Sequence, residues 1–329
     1  MRFFRRLLRF VFALTAMVFC LAGLSSLAAD EAPVVRLAFV NPHSSERPPS
    51  GTNAFWDRLR QLGYIEGRNL SVEARWADNK TERLPALIAD VVARKPDVLV
   101  TWGAPAAVAA KRATTTIPII ALGVTPDASG LTSLAQPGGN LTGLSMGWLN
   151  ISDKWLELLN EAVPQLSTLA VIANPGNPLN RSLLKQLDVA AKTRSVKLRI
   201  IEVTEPKGLD RAFEGAQHGA QAVLVLPDST LNSDASRLGM LAAKSRLPSM
   251  FSGAVIVREG GLMAYGPDFA AQWRRAAEYV DKIMKGAKPT ELPIEEPTKF
   301  QLTVNLRAAK SLKVTIPESV LVRAEEIIR

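Results

Sequence analysis

The chain has 329 residues, a formal charge of +9 at neutral pH, 47% hydrophobic and 22% charged residues, one cysteine and two histidines. That length exceeds what one hydrophobic core comfortably serves and points to two domains. A single cysteine excludes an intrachain disulfide framework and a thiolate metal site, and two distant histidines offer little to a metal centre or a hydrolytic triad.

The first segment reads as an address. Arg2, Arg5, Arg6 and Arg9 precede an uncharged apolar run over 10–24, and the small residues Ser26 and Ala28 follow. This is the layout of an export signal peptide, expected over 1–28 with cleavage after Ala28. The apolar run is shorter than the ~20 residues a spanning helix needs. Cys20 stands behind Phe19 inside that run, without the small residues of a lipid-attachment site, so the exported chain is expected to be free of cysteine. Removing the four leader arginines from +9 leaves +5, spread among acids with no basic run, and no nucleic-acid partner is expected.

Short aliphatic runs then alternate with amphipathic stretches, the pattern of βα units building parallel sheets. In the first half, strands are expected over 36–40, 70–76, 97–101 and 118–122, with helices over 53–62, 82–94 and 105–113 between them. The second half restarts the programme: helix 153–162, strand 168–173, helix 179–194, strand 197–203, helix 209–216, strand 222–226, helix 233–245 and strand 248–251. Asn41-Pro42 and Asn174-Pro175, Val98-Leu99-Val100 and Val223-Leu224-Val225, and Pro118 and Pro248 recur at an offset of about 130 residues, which suggests an internal duplication.

A Pro-Gly-Gly-Asn turn at 137–140 leads to a first hinge near 145–147. Further crossings are expected where 261–266 enters a helix over 269–285 and where the proline-rich 289–297 enters a strand over 301–305. The expected division is 34–146 plus 262–288 for one lobe and 147–261 plus 289–329 for the other: an α/β fold of two Rossmann-like lobes, each with a parallel sheet, joined by hinge strands. Nothing reads as an obligate dimer face, so a monomer is expected.

Ligands of open parallel sheets sit beyond the carboxyl ends of strands, where helix N-termini offer N–H groups and partial positive charge. In the first half this position selects Asn41, Pro42 and His43, then Trp102, Gly103, Ala104 and Pro105, then Val124, Thr125 and Asp127. In the second it selects Asn174 and Asn177, then Asp228, Ser229 and Thr230, then Ser252 and Gly253, with Tyr265 near a hinge. The small polar residues can donate hydrogen bonds to a carboxylate or to hydroxyls. Trp102 is open to stacking on a ligand or to plain packing, and Asp127 and Asp228 to capping helices or to holding an amine. Asn41 and Asn174 precede proline and suit turns. His43 suits a hydrogen-bonding contact, and His218 a helix C-terminus. There is no Gly-x-Ser-x-Gly elbow, no His-Glu-x-x-His and no Walker loop, so no catalytic residue, cofactor or metal is expected.

Six ordered segments carry a family resemblance: 62–69 (Leu-Gly-Tyr-Ile-Glu-Gly-Arg-Asn), 103–107 (Gly-Ala-Pro-Ala-Ala), 135–143 (Ala-Gln-Pro-Gly-Gly-Asn-Leu-Thr-Gly), 174–178 (Asn-Pro-Gly-Asn-Pro), 260–267 (Gly-Gly-Leu-Met-Ala-Tyr-Gly-Pro) and 296–300 (Glu-Pro-Thr-Lys-Phe). Over nearly the whole exported chain the sequence resembles the substrate-binding proteins of ABC transporters, in their tryptophan/tyrosine-type group. The resemblance implies a type I periplasmic-binding-protein fold and a small-molecule ligand held between closing lobes in the periplasm. It also implies docking on an inner-membrane ABC permease driven by a separate ATPase. The ring of helix N-termini and small polar loop residues points to a ligand with a carboxylate, an amino acid or a related acid. Small and aliphatic residues stand at 252–257, where relatives often place an aromatic, so aromatic specificity does not carry over. The alternative reading is a ligand-sensing subunit that presents its closed form to a membrane receptor.

Overall fold

A computed structural model describes residues 34–125, 133–135 and 137–329. The expected leader and Asp127 lie outside them. The first half forms β1 (Val35–Asn41), α1 (Thr52–Gln61), β2 (Leu70–Trp76), α2 (Leu84–Ala93), β3 (Val98–Trp102), α3 (Gly103–Ala113), β4 (Ile119–Leu122) and β5 (Leu141–Leu144). The strands pair in parallel in the order β2-β1-β3-β4-β5. β4 is buried at every position, as expected of an aliphatic strand covered on both faces. Each of its Ile and Leu side chains contributes roughly 1.5–3 kcal/mol through its removal from water. Helix α1 stops where the sequence stops it: Gly63 N–H bonds to Arg60 O at 3.0 Å and Tyr64 N–H to Leu59 O at 2.9 Å, a Schellman closure of the last turn.

The second half forms α4 (Trp148–Ala162), β6 (Thr168–Ala173), α5 (Pro178–Thr193), β7 (Lys197–Glu202), α6 (Leu209–Gln217), β8 (Ala222–Val225), α7 (Ala235–Ser245), β9 (Ser249–Phe251), α8 (Ala254–Arg258) and β10 (Met263–Pro267). The chain continues with α9 (Phe269–Met284), β11 (Phe300–Asn305), α10 (Leu306–Leu312), α11 (Glu318–Leu321) and β12 (Glu326–Ile328). Seven strands order as β12-β11-β10-β9-β8-β6-β7, all parallel except the β10–β11 pair. Among the described residues, no helix is long and apolar enough to cross a membrane.

The chain passes between the sheets three times: through 145–147, between β10 and α9, and through 296–299. Two segments sit differently from the expected division. Met263–Pro267, grouped above with the first lobe, hydrogen-bonds inside the second sheet as β10. Only α9 returns to the first lobe, where Trp273 packs against Phe39 and Phe55 and Arg58 pairs with Glu278 at 2.9 Å. Residues 292–295, grouped with the second lobe, lie along β5: Thr142 Oγ1 donates to Leu292 O at 2.7 Å and Ser145 N to Glu295 O at 2.8 Å. An edge strand leaves backbone groups unpaired, and this returning segment satisfies those of β5.

Helix α4 also begins at Trp148 rather than at 153. Its N-cap is Gly147 in the left-handed region at φ 62°, and Trp148, Ile151 and Trp155 face the core one and two turns apart. A Cβ at Gly147 would lie 2.9 Å from the Phe300 ring and 3.1 Å from Pro297, so the first and third crossings touch at a point where only glycine fits.

Candidate functional site

The carboxyl ends of the two sheets face each other across a cleft of about 580 Å³ within the range usual for small-molecule sites. Of the positions selected above, His43, Trp102, Gly103, Ala104, Pro105 and Thr125 line it from the first lobe. Asn174, Asn177, Asp228, Ser229, Thr230, Ser252 and Gly253 line it from the second.

The first wall is built on an aromatic stack. Trp102 at the end of β3 lies on Trp273 with ring centroids 5.1 Å apart and planes 16° apart, and Phe269 follows at 6.2 Å. One face of the Trp102 ring is therefore packing, and the remaining surface belongs to the cleft. Gly103 at φ 80° then turns the chain into α3. The N-cap position of α3 is Trp102, which has no side-chain oxygen to accept from the first turn. Gly103, Ala104 and Pro105 of that turn line the cleft; Pro105 has no N–H, so the uncapped amides of Gly103 and Ala104 are the ones that favour a negative group there. The start of α5, by contrast, is occupied by Asn177 Oδ1, which accepts from Leu179 N at 3.0 Å, and that of α7 by Asp234, which accepts from Arg237 N at 3.1 Å.

His43 stands beside Trp102, edge toward the ring at 6.4 Å. Burial pushes its pKa down to about 4, so the ring is neutral. Its Nδ1 lies 2.9 Å from Asn41 Oδ1, which also accepts from the His43 backbone N at 3.1 Å. The ring is held by the Asn41 amide oxygen, which fixes its orientation at the edge of the cleft.

The second wall is organised by Asp228. Its Oδ1 accepts from Thr230 N at 3.0 Å and Leu231 N at 2.8 Å, and its Oδ2 accepts from the side-chain amides of Asn174 at 3.2 Å and Asn177 at 2.9 Å. Asn174 Oδ1 in turn accepts from Gly176 N at 3.0 Å, and Asn180 ties the loop to Pro227 O at 2.9 Å. Asp228 caps no α-helix, since the N-cap of α7 is Asp234; it closes its own loop instead. The carboxylate knits two βα loops together and has four hydrogen bonds within its own lobe.

Four selected positions do not reach the cleft. Asn41 is fully buried behind His43, and Val124 is core. Pro42 braces the same loop, its carbonyl accepting from Asn79 N at 2.8 Å. Tyr265 stacks on Phe300 at 5.9 Å in the second sheet, and its carbonyl accepts from Trp155 Nε1 at 2.7 Å. Residues that position alone did not select include Arg47, Trp148, Asp234 and Phe269. Trp148 and Phe269 are the first residues after two crossings, and the rule that hinges flank the cleft could have found them. Arg47 and Asp234 come from opposite lobes and pair at 2.6 Å. Burial pushes the Asp234 carboxyl up, but the Arg237 N–H and the Arg47 guanidinium outweigh it and hold it below its usual range. Among the described residues no group of three or more His, Cys, Asp or Glu side chains is arranged to hold a metal ion.

The sequence model of the family described as "ABC transporter substrate binding protein" matches residues 39–328. The chain belongs to that family. Like other ABC transporter substrate-binding proteins it is a solute-binding component with a small-molecule ligand and a membrane permease as partner, and the family is not a class of enzymes. This substrate-binding protein is 26% identical over 260 residues to a curated "Tyrosine-binding protein" of Clostridioides difficile, covering 78% of this chain and 75% of the relative. Among solved structures, a conserved domain protein from Vibrio cholerae superposes with a TM-score of 0.83 at 28% identity, covering 89% of this chain and 99% of that one. An ABC domain from Streptococcus pneumoniae in complex with L-Trp superposes with a TM-score of 0.82 at 21% identity, covering 90% and 100%, and shows the shared two-lobed fold.

Proposed function

We propose that this substrate-binding protein captures an amino acid or a related small carboxylate between its lobes and delivers it to an inner-membrane permease for import, without chemical change. The observation that carries the reading is the corner formed by Trp102, Gly103 and Ala104, where an aromatic edge adjoins the uncapped amides of α3. A carboxylate on those amides gains charge-assisted hydrogen bonds, and an apolar body beside it covers the ring. Ser229, Thr230 and Ser252 line the cleft from the other lobe and offer hydroxyls to a polar ligand. Closure is driven by the ligand's differential contacts with the closed form. The printed name of the C. difficile relative supports an amino acid as cargo. Export by a cleaved leader places this capture in the periplasm, where a monomer meets the permease by diffusion. The hinge lies at 145–147, between β10 and α9, and at 296–299, so one lobe comprises 34–144 with 269–295.

A thermal-shift screen of the exported chain against amino acids, organic acids, sugars and nucleosides tests the reading, because a ligand bound only by the folded protein raises its melting temperature. Stabilisation by amino acids or small carboxylates is expected. Stabilisation by uncharged sugars alone would refute the carboxylate assignment, and a sensor kinase captured by the liganded form in place of a permease would refute import.

A further inference from the structure

We propose that His43 is a specificity-determining residue of the cleft: its Nε2 is a hydrogen-bond acceptor that selects cargo carrying a donor, a protonated amine in preference to a hydroxyl. The assignment deepens the capture reading above and rests on it. Asn41, the last residue of β1, is fully buried and unable to turn toward water. The backbone N–H of His43 points at the Asn41 side chain at 3.1 Å, and an N–H requires an oxygen opposite it, which fixes Oδ1 on that side. The same oxygen lies 2.9 Å from His43 Nδ1 and accepts only, so Nδ1 carries the proton. A neutral imidazole protonated on Nδ1 has an unshared pair on Nε2. Tied back through Nδ1, the ring directs Nε2 away from its own loop. Among the described residues no donor reaches Nε2, while the ring, 8% exposed, lines the cleft.

The charge of the walls favours an ammonium over a hydroxyl. Asp228, Asp234 and Glu259 line the cleft against one cation, Arg47, which is already paired with Asp234. His43 stands beside Trp102, and the chain runs from Trp102 directly into Gly103 at the start of α3, so both groups adjoin the same aromatic ring. A ligand without the donor seals Nε2 in a closed, water-poor cleft with nothing to bond, and loses roughly tenfold to hundredfold in affinity.

The chain has only two histidines, which makes imidazole nitrogen spectra simple to read. In the exported protein labelled with 15N-histidine, one ring is expected neutral with its proton on Nδ1 at pH 7, and this signal disappears in His43→Leu. The probes are the L-amino acids that raise the melting temperature and their des-amino acids, identical but for the missing amine. The expected result is a shift of the Nε2 resonance with the amino acid and at least tenfold weaker binding of the des-amino acid, a discrimination lost in His43→Leu. An Nε2–H tautomer, an Nε2 resonance unmoved by a bound amino acid, or equal affinity for both members of a pair overturns the proposal while leaving capture intact. If no L-amino acid raises the melting temperature the role of His43 is overturned, and if no small carboxylate does so either the capture reading falls with it. The tautomer, measured without ligand, separates that failure from an error in the geometry at His43.

Discussion

Acidification should unfold this protein partly through His43, and by an amount that follows from one buried ring. The unfolded imidazole titrates near 6.5, and burial lowers the folded value to about 4. The folded protein therefore binds fewer protons than the unfolded chain between those values, and stability must fall as pH falls through 6.5. The stabilisation is fully present above pH 6.5 and exhausted below 4. A shift of about 2.5 units corresponds to about 3 kcal/mol, of which about 2 kcal/mol is gone by pH 5. Other carboxylates titrate in the same window, so the measurement is a difference. Urea unfolding of the wild type and of His43→Gln, whose side chain stays neutral and can still donate to Asn41 Oδ1, should be compared from pH 7.5 to 4.5. The wild type should lose about 2.5 kcal/mol relative to the variant across that range. A stability difference that does not change with pH would show that the ring is solvated or charged in the folded protein, and would refute the reasoning.

Other perturbations probe the remaining parts of the site. Asp228→Asn removes the acceptor that serves the amides of Asn174 and Asn177 and brings a third NH₂ toward them. It should cost ~1–3 kcal/mol in denaturant unfolding and weaken ligand binding as both loops loosen. Arg47→Ala removes a rim pair whose members are 61% and 32% exposed, so global stability should change by less than about 1 kcal/mol. Ligand release should quicken by up to about fivefold in stopped flow, and 0.5 M salt should erase the difference from wild type because it screens the pair. Gly147→Ala forces a side chain into the left-handed region against Phe300 and should cost about 1–2 kcal/mol in thermal or denaturant unfolding.

Much of the scaffold was legible because its signals are local. Burial on both faces demands aliphatic runs such as 119–122, and a helix stop such as Gly63 acts within a single turn. The recurrence of Asn-Pro after the first strand of each half marked equivalent loops, and their position beyond strand ends picked out His43, Trp102 and Asp228. What went astray was also instructive. The sequence pattern predicts α4 over 153–162, whereas burial of Trp148 and Ile151 against the core extends the helix back to its N-cap Gly147. Residues 292–295 were assigned by sequence order, but the unpaired edge of β5 recruits them.

The sequence by itself thus determined two parallel α/β lobes and most of the loops that stand at the cleft, since periodicity and turn chemistry act over a few residues. Only the tertiary structure decided what those loops do. Whether Asp228 is free to hold an amine depends on amides from Asn174 and Asn177 arriving at its second oxygen, and whether Trp102 offers one face or two depends on Trp273. The pairing of Arg47 with Asp234 exists only because two lobes close on each other. Hydrogen-bond saturation, desolvation and charge pairing are properties of groups that converge through space from distant parts of the chain, and no local pattern records that convergence.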